Sequence, residues 1–138
     1  MDEKRVALVT AGANGIGRAI AECLAAEGIK VHICDIDPQA IAACLEANPD
    51  FEGTCCDAAD PAEVDRLFDE IGAHSNRLDI LVNNVGVAGP TAAVEDIAPA
   101  DWDRTIAIDL NAAFYATRRA TPFIKKARGS IINIASNA

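Results

Sequence analysis

The sequence predicts an α/β fold, a doubly wound parallel sheet of five strands in the order 3-2-1-4-5 with helices on both faces. Three observations predict it. Short apolar runs alternate with stretches of helical periodicity along the whole chain, the pattern of repeated βα units. The first run, Val6-Ala7-Leu8-Val9, passes into a turn containing Gly12, Gly15 and Gly17, then into a helix with Ile16, Ile20 and Leu24 at helical spacing. A later run, Leu78 to Val82, passes directly into Asn83-Asn84-Val85-Gly86. Right-handed crossovers between such units give a sheet covered on both sides.

Composition sets the bounds. The chain has 138 residues, read as one domain over 1–138, and 51% of them are apolar, enough for a real core. No apolar run reaches membrane-spanning length, and Met1 to Arg5 lacks a signal-peptide core, so a cytoplasmic protein without a membrane contact is expected. A net charge of −9 argues against nucleic acid as a partner, because such binding depends on neutralising phosphates. The five cysteines include no C-x-x-C pair, and His32 and His74 lie far from them in sequence, so no metal site is expected. Cys23 and Cys34 fall on apolar elements, and Cys55-Cys56 is read as core packing rather than a redox pair.

The elements follow in order. The first helix runs to Ala26, with Gly28 as its stop. The strand-turn-helix entry places N–H groups and the helix dipole where they favour a phosphate, and glycines let backbone approach it. The alternative is an ordinary tight βα turn. Lys30 to Asp35 is the second strand. Asp35 follows Gly17 near the spacing of about 20 residues at which a carboxylate accepts from a ribose hydroxyl. It would repel a 2′-phosphate, and Asn14 and Ile36 offer that phosphate no positive charge, so NAD is expected over NADP. A turn or cap role for Asp35 before Pro38 is the alternative. Pro38 to Leu45 is the second helix, Phe51 to Asp57 a weak third strand, and Pro61 opens a third helix through Val64, Leu67, Phe68 and Ile71. Pro99 to Trp102 leads into the longest helix, whose stripe of Trp102, Ile106, Leu110, Phe114, Thr117 and Thr121 is read mostly as core. Gly129 to Ser136 is the fifth strand, rich in β-branched residues.

The G-x-x-G-x-G spacing after Thr10 resembles the T-G-x-x-x-G-x-G turn of the short-chain dehydrogenase/reductase family, with Ala11 where the first glycine stands. Asn83 to Gly86 resembles that family's N-N-A-G, with Val85 in place of alanine, and Gly129 to Ser136 is similar to its G-x-I-V-N-I-S-S strand. The resemblance implies a Rossmann-type fold and an NAD-dependent exchange of alcohol and carbonyl by hydride transfer, with a small-molecule alcohol or carbonyl as substrate. It implies cofactor contacts from Gly12, Asn14, Gly15, Ile16, Gly17, Asp35, Ile36, Asn83, Val85 and Gly86, and adenine contact from Asp57. It places Ser136 on the substrate oxygen. Asp109 stands where the family carries a catalytic asparagine, with Asn111 turned to another face of the helix. The bulk of Val85 is expected to narrow the ribose side of the nicotinamide pocket.

The family also uses a Tyr-x-x-x-Lys pair about a dozen residues after the serine. Here the one tyrosine, Tyr115, precedes Ser136 and has Arg119 four places on, so it is no substitute. The reading is a cofactor-binding fragment, truncated after the fifth strand and inactive alone. It is expected to self-associate through that exposed strand edge and the long helix. Two alternatives stand beside it: a non-catalytic dinucleotide-binding module, and one half of a two-chain enzyme.

Overall fold

The computed structural model describes residues 3–136. Five strands, β1 Val6–Thr10, β2 Lys30–Asp35, β3 Glu52–Cys55, β4 Ile80–Asn83 and β5 Ser130–Asn133, form one sheet in the order β3-β2-β1-β4-β5. Every pairing is parallel. Side chains alternate across β1, so Leu8 enters one core and Val9 the other. Helices α1 Gly15–Ala26 and α2 Pro38–Ala47 cover the Val9 face with Ala21, Ile41 and Cys44. Helix α3 Pro61–His74 covers the Leu8 face with Leu67, Phe68 and Ile71. No described helix is long and apolar enough to cross a membrane.

The chain between β1 and β2 crosses one face, and that between β4 and β5 crosses the other. The C-terminal ends of β1 and β4 therefore diverge at a switch point, where open α/β sheets leave a crevice. Asp79 anchors the opposite end of this pair of strands. Its carboxylate accepts from the Val6 N–H at 2.9 Å and from Arg77 through two bonds of 2.8 and 2.9 Å. Burial alone would raise its pKa, but the Arg77 and Val6 donors hold it below the usual carboxylate range.

The longest predicted helix is three pieces on one path. Helix α4 Pro99–Ile106 runs into a π-helical turn, Ala107–Asn111, and then into α5 Ala112–Ala127. Two corrections to the sequence reading follow. Half of the stripe read as core faces solvent, Trp102, Leu110 and Phe114 at 56, 61 and 62% exposure, while Ile106, Thr117 and Thr121 are half-buried. The buried face of α5 is Ala112, Ala116, Ala120 and Ile124, because small side chains let the helix lie close on α3 and β4. Cys23 and Cys55 are also exposed, while Cys34, Cys44 and Cys56 are buried. Cys23 sits on the outer face of α1, and Cys55 points outward from an edge strand, its thiol donating to the Ile36 carbonyl at 3.7 Å.

Candidate active site

The glycine turn joins β1 to α1, and its three glycines answer three different demands. A Cβ on Gly12 would meet the Val9 carbonyl oxygen at 2.7 Å and Ile33 Cγ2 at 2.8 Å. On Gly17 it would strike the Ala11 carbonyl oxygen and lie 2.6 Å from Asn84 Nδ2. Both glycines are thus required by the protein's own packing. At Gly15 a Cβ would meet nothing within 4 Å, yet φ is +54°, a left-handed conformation that favours glycine. Only Gly15 presents open backbone, so the argument from phosphate approach applies to it alone. Ala11 adopts φ +49° as well, without the freedom of the glycine it replaces.

Asn14 caps α1, its Oδ1 accepting from the Gly15 N–H at 2.9 Å. The N–H groups of Ile16 and Gly17 lie in the first helical turn, which has no intrahelical acceptors to offer them. They are the donors an anion would meet there. Ile16 is 67% exposed beside them.

Beyond this turn two cavities open on either side of Val85. The first, about 230 Å³, is lined by Asp35, Ile36, Asp57, Val85, Gly86, Arg104 and Ile108, among others. Asp35 lies at the C-terminal end of β2. One carboxylate oxygen accepts from the Ala13 N–H at 3.2 Å, the other from the Asp37 N–H at 3.2 Å. The first bond fixes the acid against the glycine turn, and a carboxylate keeps further lone pairs for a hydroxyl ligand. The helix-cap role belongs to Asp37, whose Oδ1 accepts from Gln39 and Ala40. Asp57 closes its own turn by accepting from the Ala59 N–H at 3.0 Å. On the cavity wall, a hydrogen bond with Cys56, reinforced by burial, pushes the Cys34 thiol well above its ordinary pKa and keeps it protonated.

The second cavity, about 400 Å³, is lined by Thr10, Asn83, Val85, Asp109, Phe114, Thr117, Asn133 and Ala135, among others. Asn83 Nδ2 donates to Thr117 Oγ1 at 3.1 Å and to Asn133 Oδ1 at 2.9 Å, tying β4 to α5 and β5. Its own Oδ1 is buried without a hydrogen-bond partner. Asn84 Nδ2 donates to the Ala11 carbonyl at 3.3 Å, and the Asn84 N–H to Thr10 Oγ1 at 3.0 Å. Thr10 in turn donates to the Val82 carbonyl at 3.3 Å. Asp109 sits in the π turn, and its Oδ1 accepts from the Val87 N–H at 2.7 Å. A π turn within an α-helix commonly marks a functional position. Ser136 is exposed and follows Ala135, which lines this cavity.

The residues read from sequence thus divide among three neighbouring places. Gly12, Asn14, Gly15, Ile16 and Gly17 form the glycine turn and the first turn of α1. Asp35, Ile36, Asp57, Val85 and Gly86 come together around the first cavity, while Asn83 and Asp109 border the second together with Val85. Sequence reasoning missed Arg104 and Ile108, which reach the first cavity from α4 and from the π turn that follows it. Their chain distance from Asp35 gives no local signal. Two acids at strand ends, an apolar slot and a helix N-terminus suit a ligand that is hydroxylated, flat and anionic in successive parts.

Comparison with known proteins bears on the same features. Residues 5–138 match the family model for short chain dehydrogenase. The chain is 38% identical over 139 residues to a D-threitol dehydrogenase of Mycolicibacterium smegmatis, covering 97% of this chain and 53% of that protein. It is 39% identical over 140 residues to a granaticin polyketide synthase putative ketoacyl reductase of Streptomyces violaceoruber, covering 96% of this chain and 51% of that one. Among solved structures, a metagenomic short-chain oxidoreductase in complex with NADP superposes with a TM-score of 0.90 at 32% identity, over 97% of this chain and 63% of that one. A short-chain dehydrogenase from Streptomyces avermitilis gives 0.91 at 29% identity, over 99% of this chain and 50% of that one. The chain spans about half the length of the curated relatives it matches. With its glycine turn, its Asn-Asn-Val-Gly segment and its 3-2-1-4-5 sheet, the chain belongs to the short chain dehydrogenase family.

Proposed function

We propose that this chain is the cofactor-binding part of an NAD-dependent oxidoreductase that interconverts a small-molecule alcohol and its carbonyl. The observation that carries the reading is the cavity in which Asp35, Asp57 and the Val85-Gly86 segment meet beside the glycine turn. The first-turn N–H groups of α1 hold the pyrophosphate, and Asp35 accepts from the adenosine ribose. Asp57 lies at the adenine, and Val85 divides the adenosine side from the nicotinamide side. When bound, the nicotinamide supplies or takes up a hydride. Ser136 donates its hydroxyl to the substrate oxygen. Asp109 holds the Val87 backbone and so the shape of the loop beside the nicotinamide.

The preference for NAD rests on Asp35, whose carboxylate faces the position of a 2′-phosphate, and on uncharged Ile36 next to it. Proton exchange with the substrate requires a general acid that these residues do not supply. Tyr115 packs against the core, with its ring 5.9 Å from Phe114. The chain alone therefore binds cofactor without turnover. Its free cysteines and net charge of −9 fit a reducing cytoplasm. The exposed apolar residues of α4, α5 and β5 support self-association.

Calorimetric titration of the chain with NAD and NADP tests the reading. NAD is expected to bind, NADP to bind more weakly, and Asp35→Ala to narrow the gap. An unchanged ratio in the variant would leave Asp35 as a turn residue and remove the basis for preferring NAD.

A further inference from the structure

The first cavity holds one cation. Arg104 lines it from α4, together with Asp35 and Asp57. Arg18, Arg66, Arg77 and Arg119 all lie within 4 Å of a carboxylate, whereas Arg104 has no such partner among the described residues. A guanidinium that lines the cavity and has no carboxylate partner within 4 Å is available to a ligand. Its placement also says which part of the ligand it meets. The cavity wall carries Asp57, Ala58 and Ala59 from the β3 end together with Ala11 and Val85 to Val87, whereas the first-turn residues Gly15, Ile16 and Gly17 do not line it. Arg104 therefore shares a wall with Asp57, the residue read at the adenine, and not with the first-turn N–H donors.

We infer that Arg104 is a further cofactor-binding residue, a clamp whose guanidinium lies on the face of the adenine ring. The inference rests on the dinucleotide reading above and deepens it. A planar, weakly hydrated cation stacks on an aromatic face and gains from its quadrupole. Ile36, 67% exposed in this structure, offers an apolar edge for the same ring. A lysine in the same position would supply charge but no flat surface to stack.

Binding of AMP, NMN, NAD and NADP to the wild-type chain, Arg104→Ala and Arg104→Lys tests this by calorimetry. Arg104→Ala is expected to weaken AMP and NAD about fivefold and to leave NMN, which lacks adenine, unchanged. Arg104→Lys is expected to restore less than half of that loss. Equal AMP affinity in the wild type and Arg104→Ala overturns the clamp. So does a loss confined to NADP, which would make Arg104 a phosphate partner, or full rescue by lysine, which would make it a simple charge. If the wild type binds none of the four nucleotides, the cofactor reading itself fails. Thermal melts of both variants separate loss of binding from loss of fold.

Discussion

The Asp109 carboxylate accepts a hydrogen bond from the Val87 N–H at 2.7 Å, joining the π turn of the α4–α5 path to the loop that leaves β4. An asparagine oxygen could accept the same bond, so charge and geometry separate cleanly here. Asp109→Asn is expected to keep the melting temperature and the NAD affinity close to wild type. Asp109→Ala leaves the amide to water and is expected to cost about 1 kcal/mol in stability and several-fold in affinity. Equal behaviour of the two variants would show that the bond does not shape the site.

Gly17→Ala is expected to be severe. The new methyl meets the Ala11 carbonyl and the Asn84 amide, both already hydrogen-bonded to one another. Displacing them costs about 1–3 kcal/mol and opens the turn. Denaturant melts and an NAD titration should both register it. Wild-type values in either would contradict the packing argument.

Ala11→Gly runs the other way. Relief of the left-handed strain, about 1–2 kcal/mol, exceeds the added chain entropy of glycine, about 0.5–1 kcal/mol. A net gain of about 0.5 kcal/mol is expected in the urea midpoint. A lower midpoint would mean that the turn tolerates Ala11 without strain.

His32 makes stability depend on pH. Thr54 donates its hydroxyl hydrogen to Glu70 at 2.6 Å and so accepts from His32 Nε2–H at 2.7 Å. Burial lowers the His32 pKa from 6.5 to about 4, aided by His74 and opposed by Glu52 and Glu70. Between those values the unfolded chain holds a proton that the folded chain refuses. Stability from this residue is therefore full above about pH 6.5 and drains as pH falls toward 4, by about 3 kcal/mol in all. Urea melts between these limits should show the slope, and His32→Gln should flatten it. An unchanged slope in the variant would place the effect elsewhere.

The solvent-facing stripe of Trp102, Leu110 and Phe114 supports association of the chain. Light scattering is expected to detect dimers or larger species at micromolar concentration, and Phe114→Glu to reduce them. A monomeric wild type would end that proposal.

Local chemistry made much of the fold legible. Pro38 and Pro61 sit at the first positions of α2 and α3 behind Asp37 and Asp60 caps, and the strand runs are short and apolar. The sheet order follows from crossover handedness once the βα repeats are counted. What failed was the reading of one face. Trp102, Leu110 and Phe114 repeat at a helical interval that periodicity alone cannot orient, and the alanines that fill the actual interface carry almost no hydrophobic signal. At the site, Asp35 was legible from its place at a strand end and its spacing after the glycine turn, whereas Asp57 was legible only through the family resemblance. Arg104 was not, since only the packed α4 brings it to that cavity. The separate duties of the glycines were also hidden, because a spacing pattern cannot distinguish a crowded Cα from an open one.

The strand order has a consequence for how the chain is made. β1 is the first strand to leave the ribosome and the one that ends up innermost, with β2 on one side and β4 on the other. Its β2 edge can pair early. Its other edge must wait for Ile80–Val82, and the Val6 amide waits for Asp79, 73 residues away. Throughout that interval the nascent chain exposes an unpaired edge on a mostly apolar strand, the form most open to capture by another chain. Synthesis of β4 closes that edge and hands the open one to β4 itself until Ser130–Asn133 emerges, so a pause before Ile80 leaves the central strand most exposed to another chain.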